Sequence, residues 1–411
     1  MNVIAKKIIT TSILSSVLIL MSACGNDDTK NDTTPTPNTT PTPNNTSGEL
    51  DTMVIDNCSQ YVPLGKTETL VNRNNNVDYI FRCQLEVQGD LIIASDVKIE
   101  FATDTGIRVT GSLKAKGTPS KPIILTSIDK TAGAWKGIFI NNNDVKNELD
   151  YLLIDYAGGG AFNSNGDKGA VIVYAGASLK MSNSIIKHSK TYGINASYGG
   201  SDLILQNNTI SSSAAPMYLN PEYATTIKGG QYTGNTLDAI VLQGGNVPNE
   251  ATWRDLGVPY HVMDKVNVIA GGGKLTINPN VTIEFATDTR INVNEGASGS
   301  KPSFIAVGTE TKPITFTGIN KVKGAWRGIY FDSPSPLNEI AFANIDYASN
   351  PTQIGAVFTW YGTVLNVHDV TFNHIGRDAI HIKRFPTSLI TVSTANNTFN
   401  DVVGTNSITT N

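Results

Sequence analysis

Residues 99–105 read Ile-Glu-Phe-Ala-Thr-Asp-Thr, and residues 283–289 repeat them without a change. Further along each copy, Gly-Ala-Trp-Lys-Gly-Ile at residues 133–138 returns as Gly-Ala-Trp-Arg-Gly-Ile at residues 324–329. Internal repetition of this kind is typical of repeat architectures, in which each unit buries its apolar face against a neighbouring unit. The chain is therefore expected to contain two related halves.

From about Met53 onward, short apolar stretches alternate with polar residues at every second position, and Gly, Asn, Asp and Ser separate these stretches. We find no amphipathic helix of ten or more residues in this pattern. Leu179 and Leu203 are 24 positions apart, as are Leu203 and Ile227, and the same spacing recurs between Leu365 and Leu389. Three short strands in a repeat of this size predict an all-β parallel solenoid with coils of about 24 residues. A β-sandwich would also contain many short strands, but it requires no fixed coil length.

Residues that favour turns recur three positions before apolar residues: Asn183, Asn207, Asp369 and Asn396. Asn and Asp tolerate the left-handed backbone conformation, so these four are expected to form a ladder at one corner of the coils. Stacked asparagines occupy such a turn in the pectin-lyase-like superfamily, which the chain resembles from about residue 75 to 411. The resemblance implies a single-stranded, right-handed parallel β-helix. The chain looks most like bacterial lipoproteins in which the phrases at residues 133–138, 252–260 and 324–329 punctuate the coils.

The N-terminus carries the pattern of an export signal. Residues 1–23 contain Lys6 and Lys7, an apolar run and then small residues, which together predict a signal peptide. Met-Ser-Ala-Cys at residues 21–24 resembles the lipobox of bacterial lipoproteins, which implies that Cys24 is acylated and attached to a membrane. The expected location is the bacterial cell envelope, with the outer membrane favoured.

The remaining chain divides by composition. Residues 24–50 are rich in Thr, Pro and Asn and are expected to form an extended tether. Residues 51–85 are expected to cap the solenoid, residues 86–250 to form its first half and residues 251–411 its second half. One continuous solenoid is expected across the junction at Trp253, with two separable domains as the alternative.

Charge and cysteine content narrow the classes of partner. The formal net charge of −4 becomes −6 without residues 1–23, so the sequence has no electrostatic footprint for nucleic acid. In an exported protein, the two cysteines other than Cys24, Cys58 and Cys83, are most simply a disulfide. Two free thiols or a metal pair are less favoured, because no histidine lies near either cysteine in the sequence.

Enzymes on the pectin-lyase-like fold act on polysaccharides, but their catalytic sets are not evident in this sequence. The glycosidases of the superfamily use an Asp-Asp pair and Gly-His-Gly, whereas the pair Asp27-Asp28 lies in the tether. A lyase needs cations and a base that removes the α-proton. Calcium would serve a calcium-dependent lyase, but no carboxylate cluster supports it, and no cofactor or metal is expected.

One segment, residues 374–384, offers an imidazole and cations on a single strand. If Ile380 and Ile382 face inward, His381 and Lys383 face outward. A weak candidate glycan-binding face therefore consists of His374, Arg377, His381, Lys383, Arg384, Trp360 and Tyr361. The alternative is that these are ordinary polar residues on the exposed side of a sheet.

The favoured hypothesis is a membrane-anchored, non-catalytic protein that binds glycan or a surface protein in an adhesion or carbohydrate-binding role. The lipid anchor, the tether and the solenoid without an assembled catalytic set motivate it. The second hypothesis is a lyase or glycosidase that acts on an acidic polysaccharide through residues 374–384. A purely structural component of the envelope is the third.

Overall fold

The structure is a computed structural model that describes residues 50–59, 61–269, 271–294, 299, 301–386 and 389–410. The expected signal peptide, Cys24 and the tether up to residue 49 lie outside the described residues. The described residues form one compact all-β unit whose helical content is the 3-10 helix Pro221–Thr226. No helix in this part of the chain has the length and apolar character needed to cross a bilayer.

The strands form four hydrogen-bonded sheets, and every pairing between these strands is parallel. The largest sheet consists of two ladders that share strands, and we name these ladders sheet two and sheet five. Sheet one contains Met53–Ile55, Tyr79–Phe81, Lys98–Phe101, Ile123–Ser127, Leu152–Asp155, Ile185–Lys187 and Thr209–Ser211. Sheet three contains Thr67–Leu70, Asp90–Ile93, Ser112–Lys116, Glu148–Asp150, Ser178–Ser182, Asp202–Gln206 and Ile227–Lys228. These two sheets belong to the first half.

Sheet two runs through both halves. It contains Leu85–Val87, Gly106–Val109, Gly137–Ile140, Val171–Val173, Tyr192–Ala196, Ala215–Leu219, Ile240–Leu242, Tyr260–Val262, Thr282–Phe285, Ile314–Gly318, Glu339–Asp346, Val364–Ile375 and Thr398–Val402. Sheet four contains Gly245–Val247, Val266–Ile269, Arg290–Asn294, Gly328–Asp332, Gly355–Thr359, Asp378–Lys383 and Ser407–Thr410. Sheet five contains Glu250–Trp253, Lys274–Ile277, Ser303–Val307 and Thr391–Ala395, together with Glu339–Asp346 and Val364–Ile375, which also pair in sheet two.

The chain visits three sheets in turn and then returns to the first, so each coil stacks on the one before it. Long parallel sheets of this kind are consistent with a parallel β-solenoid. One inward row of sheet two connects the two halves: Leu85, Ile107, Ile138, Val171, Ile194, Met217, Ile240, Tyr260, Ile283, Phe316, Ile345, Phe372 and Phe399. The row belongs to one continuous apolar core.

The coil length varies more than the regular spacing of the leucines predicts. Leu179 does pair with Leu203, but Ile138 pairs with Val171, so the coil between these two residues is longer. The extra residues of the long coils lie in turns and loops, for example between Ser127 and Gly137, and leave the strand pairing intact. Two equivalences inferred from the spacing are also wrong. Ile227 pairs with Leu205 instead of Leu203, and Leu365 pairs with Val392 while Leu389 is exposed.

The four predicted corner residues, Asn183, Asn207, Asp369 and Asn396, all have a left-handed backbone, with φ between 49° and 54°. The asparagines that bridge coils lie one residue later than Asn207 and Asn396. Asn208 Oδ1 accepts from the Ser184 amide, and Asn208 Nδ2 donates to the Met181 carbonyl. Asn397 makes the same two contacts with Val370 and Val367. The turn residue and the bridging residue are therefore neighbours, which explains the Asn-Asn pairs at 207–208 and 396–397.

Two aromatic pairs occupy equivalent positions in the two halves. Trp135 stacks on Phe101 with ring centroids 4.4 Å apart, and Trp326 stacks on Phe285 at 4.0 Å. Each indole N–H donates to the backbone carbonyl of the repeated Ile-Asp-Tyr-Ala turn, at Asp155 and at Asp346. Both tryptophans are fully buried, so the repeated Gly-Ala-Trp phrase places a core residue.

The two halves are related by a shift of one sheet around the solenoid. In the first half, Lys98–Phe101 lies in sheet one and Gly106–Val109 in sheet two. Their sequence counterparts in the second half, Thr282–Phe285 and Arg290–Asn294, lie in sheet two and sheet four. The shift occurs around the 3-10 helix, where sheets one and three end and sheets four and five begin.

Near the N-terminal end of the described region, Cys58 and Cys83 form a disulfide with their Cα atoms 5.8 Å apart. This pairing confirms the prediction. The segment between residues 51 and 85 contributes the strands Met53–Ile55, Thr67–Leu70 and Tyr79–Phe81, which pair with the following coil. The bond therefore fastens the first paired coils to each other.

Candidate functional site

The strand Asp378–Lys383 places Ile380 and Ile382 in the core, but it does not expose His381. The imidazole is 4% exposed although it lies on the outer side of sheet four. Its Nδ1 lies 2.8 Å from an Asp378 carboxylate oxygen and its Nε2 lies 3.0 Å from the Thr410 hydroxyl, and Phe358 packs beside it. The expectation of an exposed imidazole is therefore wrong, because the neighbouring coils cover this position and engage both ring nitrogens.

His374 and Arg377 lie apart from the other predicted residues, at the corner between sheets two and four. His374 lies near the end of the strand Val364–Ile375, and its ring stacks on Tyr347 with centroids 4.8 Å apart. Its Nε2 lies 4.0 Å from the carboxylate of Asp401. Arg377 is exposed in the turn that follows. The structure therefore does not place these two side chains on the sheet-four face with Trp360.

The outer side of sheet four does carry a contiguous aromatic surface. Its members are Tyr330, Phe358, Trp360, Tyr361 and Phe385, and we call them the C-terminal platform. Tyr330 and Phe358 lie in register on adjacent strands, with ring centroids 5.7 Å apart. Phe358 and Trp360 are 5.9 Å apart, and Phe385 lies 4.7 Å from Trp360 and 6.0 Å from Tyr361. These rings are half-buried except for Tyr361, which is exposed.

Sequence reasoning found Trp360 and Tyr361 and missed the other three rings. Alternation along the strand could have added Phe358, because it lies two residues before Trp360 and faces the same side. The repeat could have added Tyr330, because Phe139 occupies the same place in the first copy. Phe385 follows the end of a strand and shows no pattern that would have identified it.

Cationic groups border the C-terminal platform. The Arg290 guanidinium lies 5.5 Å from the centre of the Tyr330 ring and donates to the Gln353 side chain at 3.4 Å. Burial lowers the pKa of Arg290 from its ordinary high value, and burial raises the pKa of Tyr330, so the phenol stays neutral. In sheet four, Thr359 pairs with Ile382, and Lys383 and the exposed Arg384 follow Ile382 in the chain.

A row of amides leads up to the platform along the same outer side of sheet four. Asn267 Nδ2 donates to Asn246 Oδ1 at 3.0 Å, and Asn292 Nδ2 donates to Asn267 Oδ1 at 2.9 Å. In the next coil, Tyr330 is in register with Asn292. Asn292 Oδ1 is buried and has no hydrogen-bond partner among the described residues. The face therefore combines aromatic rings with amide groups, and both suit a sugar chain.

Clefts of about 330 and 440 Å³ lie elsewhere, in surface segments away from the rings. The first is lined by residues that include Phe342, Asp369 and Asn396, and the second by Asn72, Asp96 and their neighbours. The platform is instead a surface of a sheet. An extended polymer can lie on such a surface, whereas a small ligand usually needs a concave pocket.

The acidic residues of the repeated Ile-Glu-Phe-Ala-Thr-Asp-Thr stretch pair with basic residues. Glu100 pairs with Lys130 at 2.8 Å, and the equivalent Glu284 pairs with Lys321 at 3.2 Å. The Arg327 guanidinium, hydrogen-bonded to Asp288, lowers the pKa of that carboxyl to about 2. In the part of the chain that the structure describes, no three His, Cys, Asp or Glu side chains come together in a way that could hold a metal ion.

The chain has no match among protein-family profiles, curated proteins or solved structures. The aromatic rings and polar groups of sheet four are therefore the basis for assigning a function.

His368 is a separate titratable group, on the outer side of the strand Val364–Ile375. Its Nδ1 lies 2.7 Å from the Asp369 carboxylate and its Nε2 lies 3.0 Å from that of Glu339. The hydrogen bond with Asp369, reinforced by Glu339, raises the pKa of His368 above its ordinary value. When it is protonated, the imidazole links two adjacent coils through both carboxylates.

We expect the free energy of unfolding to fall as the pH rises through the pKa of folded His368. Because this pKa is raised on folding, the added stability is complete below the unfolded value near 6.5 and disappears above the folded value. Solvent screening keeps the effect at about 1 kcal/mol or less. Urea unfolding between pH 5.5 and 8.5 should show this decrease in the free energy of unfolding in the wild type and in Thr371→Ala. The decrease should be absent in His368→Gln. Equal pH dependence in all three proteins would contradict it.

Proposed function

We propose that the chain is an exported bacterial lipoprotein that binds glycan through the C-terminal platform and performs no catalysis. The observation that carries the proposal is the contiguous row of half-buried aromatic rings on the outer side of sheet four. Rings with one accessible face offer a large apolar contact at a low cost in side-chain entropy, and neighbouring amides supply hydrogen bonds. The Arg290 guanidinium over the Tyr330 ring, with Lys383 and Arg384 in the strand that pairs with Gly355–Thr359 and just after it, favours chains that carry carboxylate or sulfate groups.

The lipoprotein part of the proposal is supported by the sequence of residues 1–50. A signal peptide that ends at a lipobox would leave Cys24 acylated, and the Thr- and Pro-rich tether would hold the folded unit away from the bilayer. The expected site is the cell envelope, most simply the outer membrane. A rigid solenoid held in this way suits a role in capturing or adhering to external polymers, or in contacting a surface protein.

We propose a single-stranded, right-handed parallel β-helix of the pectin-lyase-like type. Three-strand coils with exclusively parallel pairing between strands support it, as does the strong preference of crossover connections for the right-handed form. The left-handed turn residues Asn183 and Asn207, on successive coils, support it as well.

Lyase action through residues 374–384 receives less support from the geometry. A general base must reach the proton that it removes, directly or through one water. Both nitrogens of His381 are engaged by Asp378 and Thr410, and the ring is buried. His374, which is exposed, lies at the corner beside Tyr347 and Asp401.

The proposal is tested by measuring binding of the purified chain to immobilised polygalacturonate, alginate, hyaluronate and neutral polysaccharides. We expect retention on at least one acidic polysaccharide, and Trp360→Ala should weaken it at least tenfold because the central ring is lost. Leu64→Ala, an exposed apolar change at the other end of the described region, should bind as the wild type does. The appearance of unsaturated products or new reducing ends would favour the enzymatic alternative, and absence of retention on every acidic polysaccharide would refute the proposal.

A further inference from the structure

The first half carries a second aromatic surface, on the outer side of sheet two. It comprises Tyr174, Tyr192, Tyr198 and Tyr218, all half-buried, and we call it the N-terminal platform. Tyr174 and Tyr198 have ring centroids 4.9 Å apart, and so do Tyr192 and Tyr218. In the repeat, Gly-Ala-Val-Ile-Val-Tyr at residues 169–174 corresponds to Gly-Ala-Val-Phe-Thr-Trp at residues 355–360. Tyr174 is therefore the counterpart of Trp360.

The polar groups at the N-terminal platform differ from those at the C-terminal one. The loop between Gly158 and Gly169 folds against the rings. There Asn165 Nδ2 lies 3.3 Å from the hydroxyls of both Tyr174 and Tyr198. Tyr198 donates to the Asp167 carboxylate at 3.3 Å. A carboxylate and amides accept hydrogen bonds from sugar hydroxyls, and the carboxylate repels an anionic chain. This surface therefore fits a neutral glycan.

The shift of one sheet between the halves places the two platforms on different sides of the solenoid. The N-terminal platform lies on sheet two, which continues through the second half beside sheet four. There the outer side of sheet two is polar instead of aromatic. His261 lies 2.7 Å from Glu284, and Asn400 donates to Asn373, which in turn donates to Asp346. A chain that follows sheet two from the N-terminal platform therefore meets hydrogen-bonded polar side chains in the second half, and the C-terminal platform lies on the neighbouring sheet four.

We propose that one molecule bridges two different polysaccharide chains, a neutral one on the N-terminal platform and an acidic one on the C-terminal platform. This inference rests on the proposed glycan binding and adds a second site and its ligand class. Because the platforms face different sides, one straight chain cannot occupy both, and no gain in avidity arises from a single long chain.

The test uses beads coated with the acidic polysaccharide that retains the chain best among polygalacturonate, alginate and hyaluronate. Soluble fluorescent mannan, arabinan, galactan or β-glucan is then added with and without the protein. We expect at least one neutral polysaccharide to be captured on the beads only when the protein is present. Tyr198→Ala and Asp167→Asn should each reduce this capture at least tenfold while retention of the protein on the acidic beads stays unchanged.

Direct binding of the wild type to beads coated with each neutral polysaccharide distinguishes failure of the bridging proposal from failure of the proposed function. Retention on acidic beads without binding to any neutral polysaccharide overturns the bridging proposal and leaves the proposed function intact. Loss of acidic and neutral binding together in Tyr198→Ala, with an unchanged circular dichroism spectrum, shows one shared site and also overturns it. Lack of retention on all acidic beads refutes the proposed function itself, and capture by bridging then fails as well.

Discussion

Replacing Trp326 with alanine should lower the free energy of unfolding by about 3 to 5 kcal/mol, which is typical of a large aromatic residue removed from a core. The indole is fully buried and lies almost parallel to the Phe285 ring, with centroids 4.0 Å apart. Its N–H donates to the Asp346 carbonyl at 2.8 Å, so the change also removes a buried hydrogen bond. Coils of a solenoid contact only their neighbours, so the cavity weakens the stack on both sides.

Urea unfolding followed by circular dichroism measures this change, and the repeat supplies an internal comparison. Trp135→Ala should be equally destabilising, because Trp135 has the same ring partner and the same carbonyl acceptor in the first half. Trp326→Phe should cost less, since it keeps a ring and loses the N–H donor. The exposed Val322→Ala serves as the control. A loss below about 1 kcal/mol for Trp326→Ala would show that the repeated phrase does not anchor the core.

Removing the disulfide by the double change Cys58→Ser and Cys83→Ser should cause the second large loss of stability. The bond joins cysteines separated by 25 positions, and the chain-entropy model gives about 3.5 kcal/mol for a loop of this length. The loss should be confined to the first coils, because distant coils make no contact with them. Met53–Ile55 and Tyr79–Phe81 pair directly and should report it.

Hydrogen exchange measured strand by strand tests this localisation. Amides of Met53–Ile55 and Tyr79–Phe81 should exchange faster in the double variant, whereas those of Gly328–Asp332 should keep their wild-type rates. Reduction of the wild type with dithiothreitol should reproduce the same pattern. A uniform change along the chain, or none at all, would be inconsistent with local stapling by the bond.

The repeated phrases predicted stacked parallel coils correctly. Strand pairing depends on a local alternation of apolar residues, and this alternation is present in the sequence of each coil. The regular spacing of the leucines did not predict the longer coils. Loops such as the one between Gly158 and Gly169 add residues to a coil without changing the strand pairing. The four predicted corner residues have the left-handed backbone, but the sequence did not show that the asparagines that bridge coils lie one residue later. Asn207 and Asn208 are chemically identical in the sequence, and only the turn geometry shows that the second one points inward.

The shift of one sheet could not be predicted, because each copy has the same local pattern whichever side it occupies. What decides the side is the path of the chain around Pro221–Thr226, where sheets one and three end and sheets four and five begin. The candidate face was predicted in part. The residue types of Trp360 and Tyr361 were enough to propose them as members of an aromatic surface. The burial of His381 could not be predicted, because it depends on Phe358 and Thr410, which lie on neighbouring coils and are distant in sequence.

Insertions and deletions should have different consequences at the corners of this solenoid and within its strands. Length can vary there at little cost, since shorter and longer coils coexist in one stack while their strands remain aligned. A strand has no such freedom, because the loss of a single residue would turn every following side chain to the opposite side. New surface loops can therefore arise and diversify around a rigid interior, at positions such as that of the loop that carries Asp167.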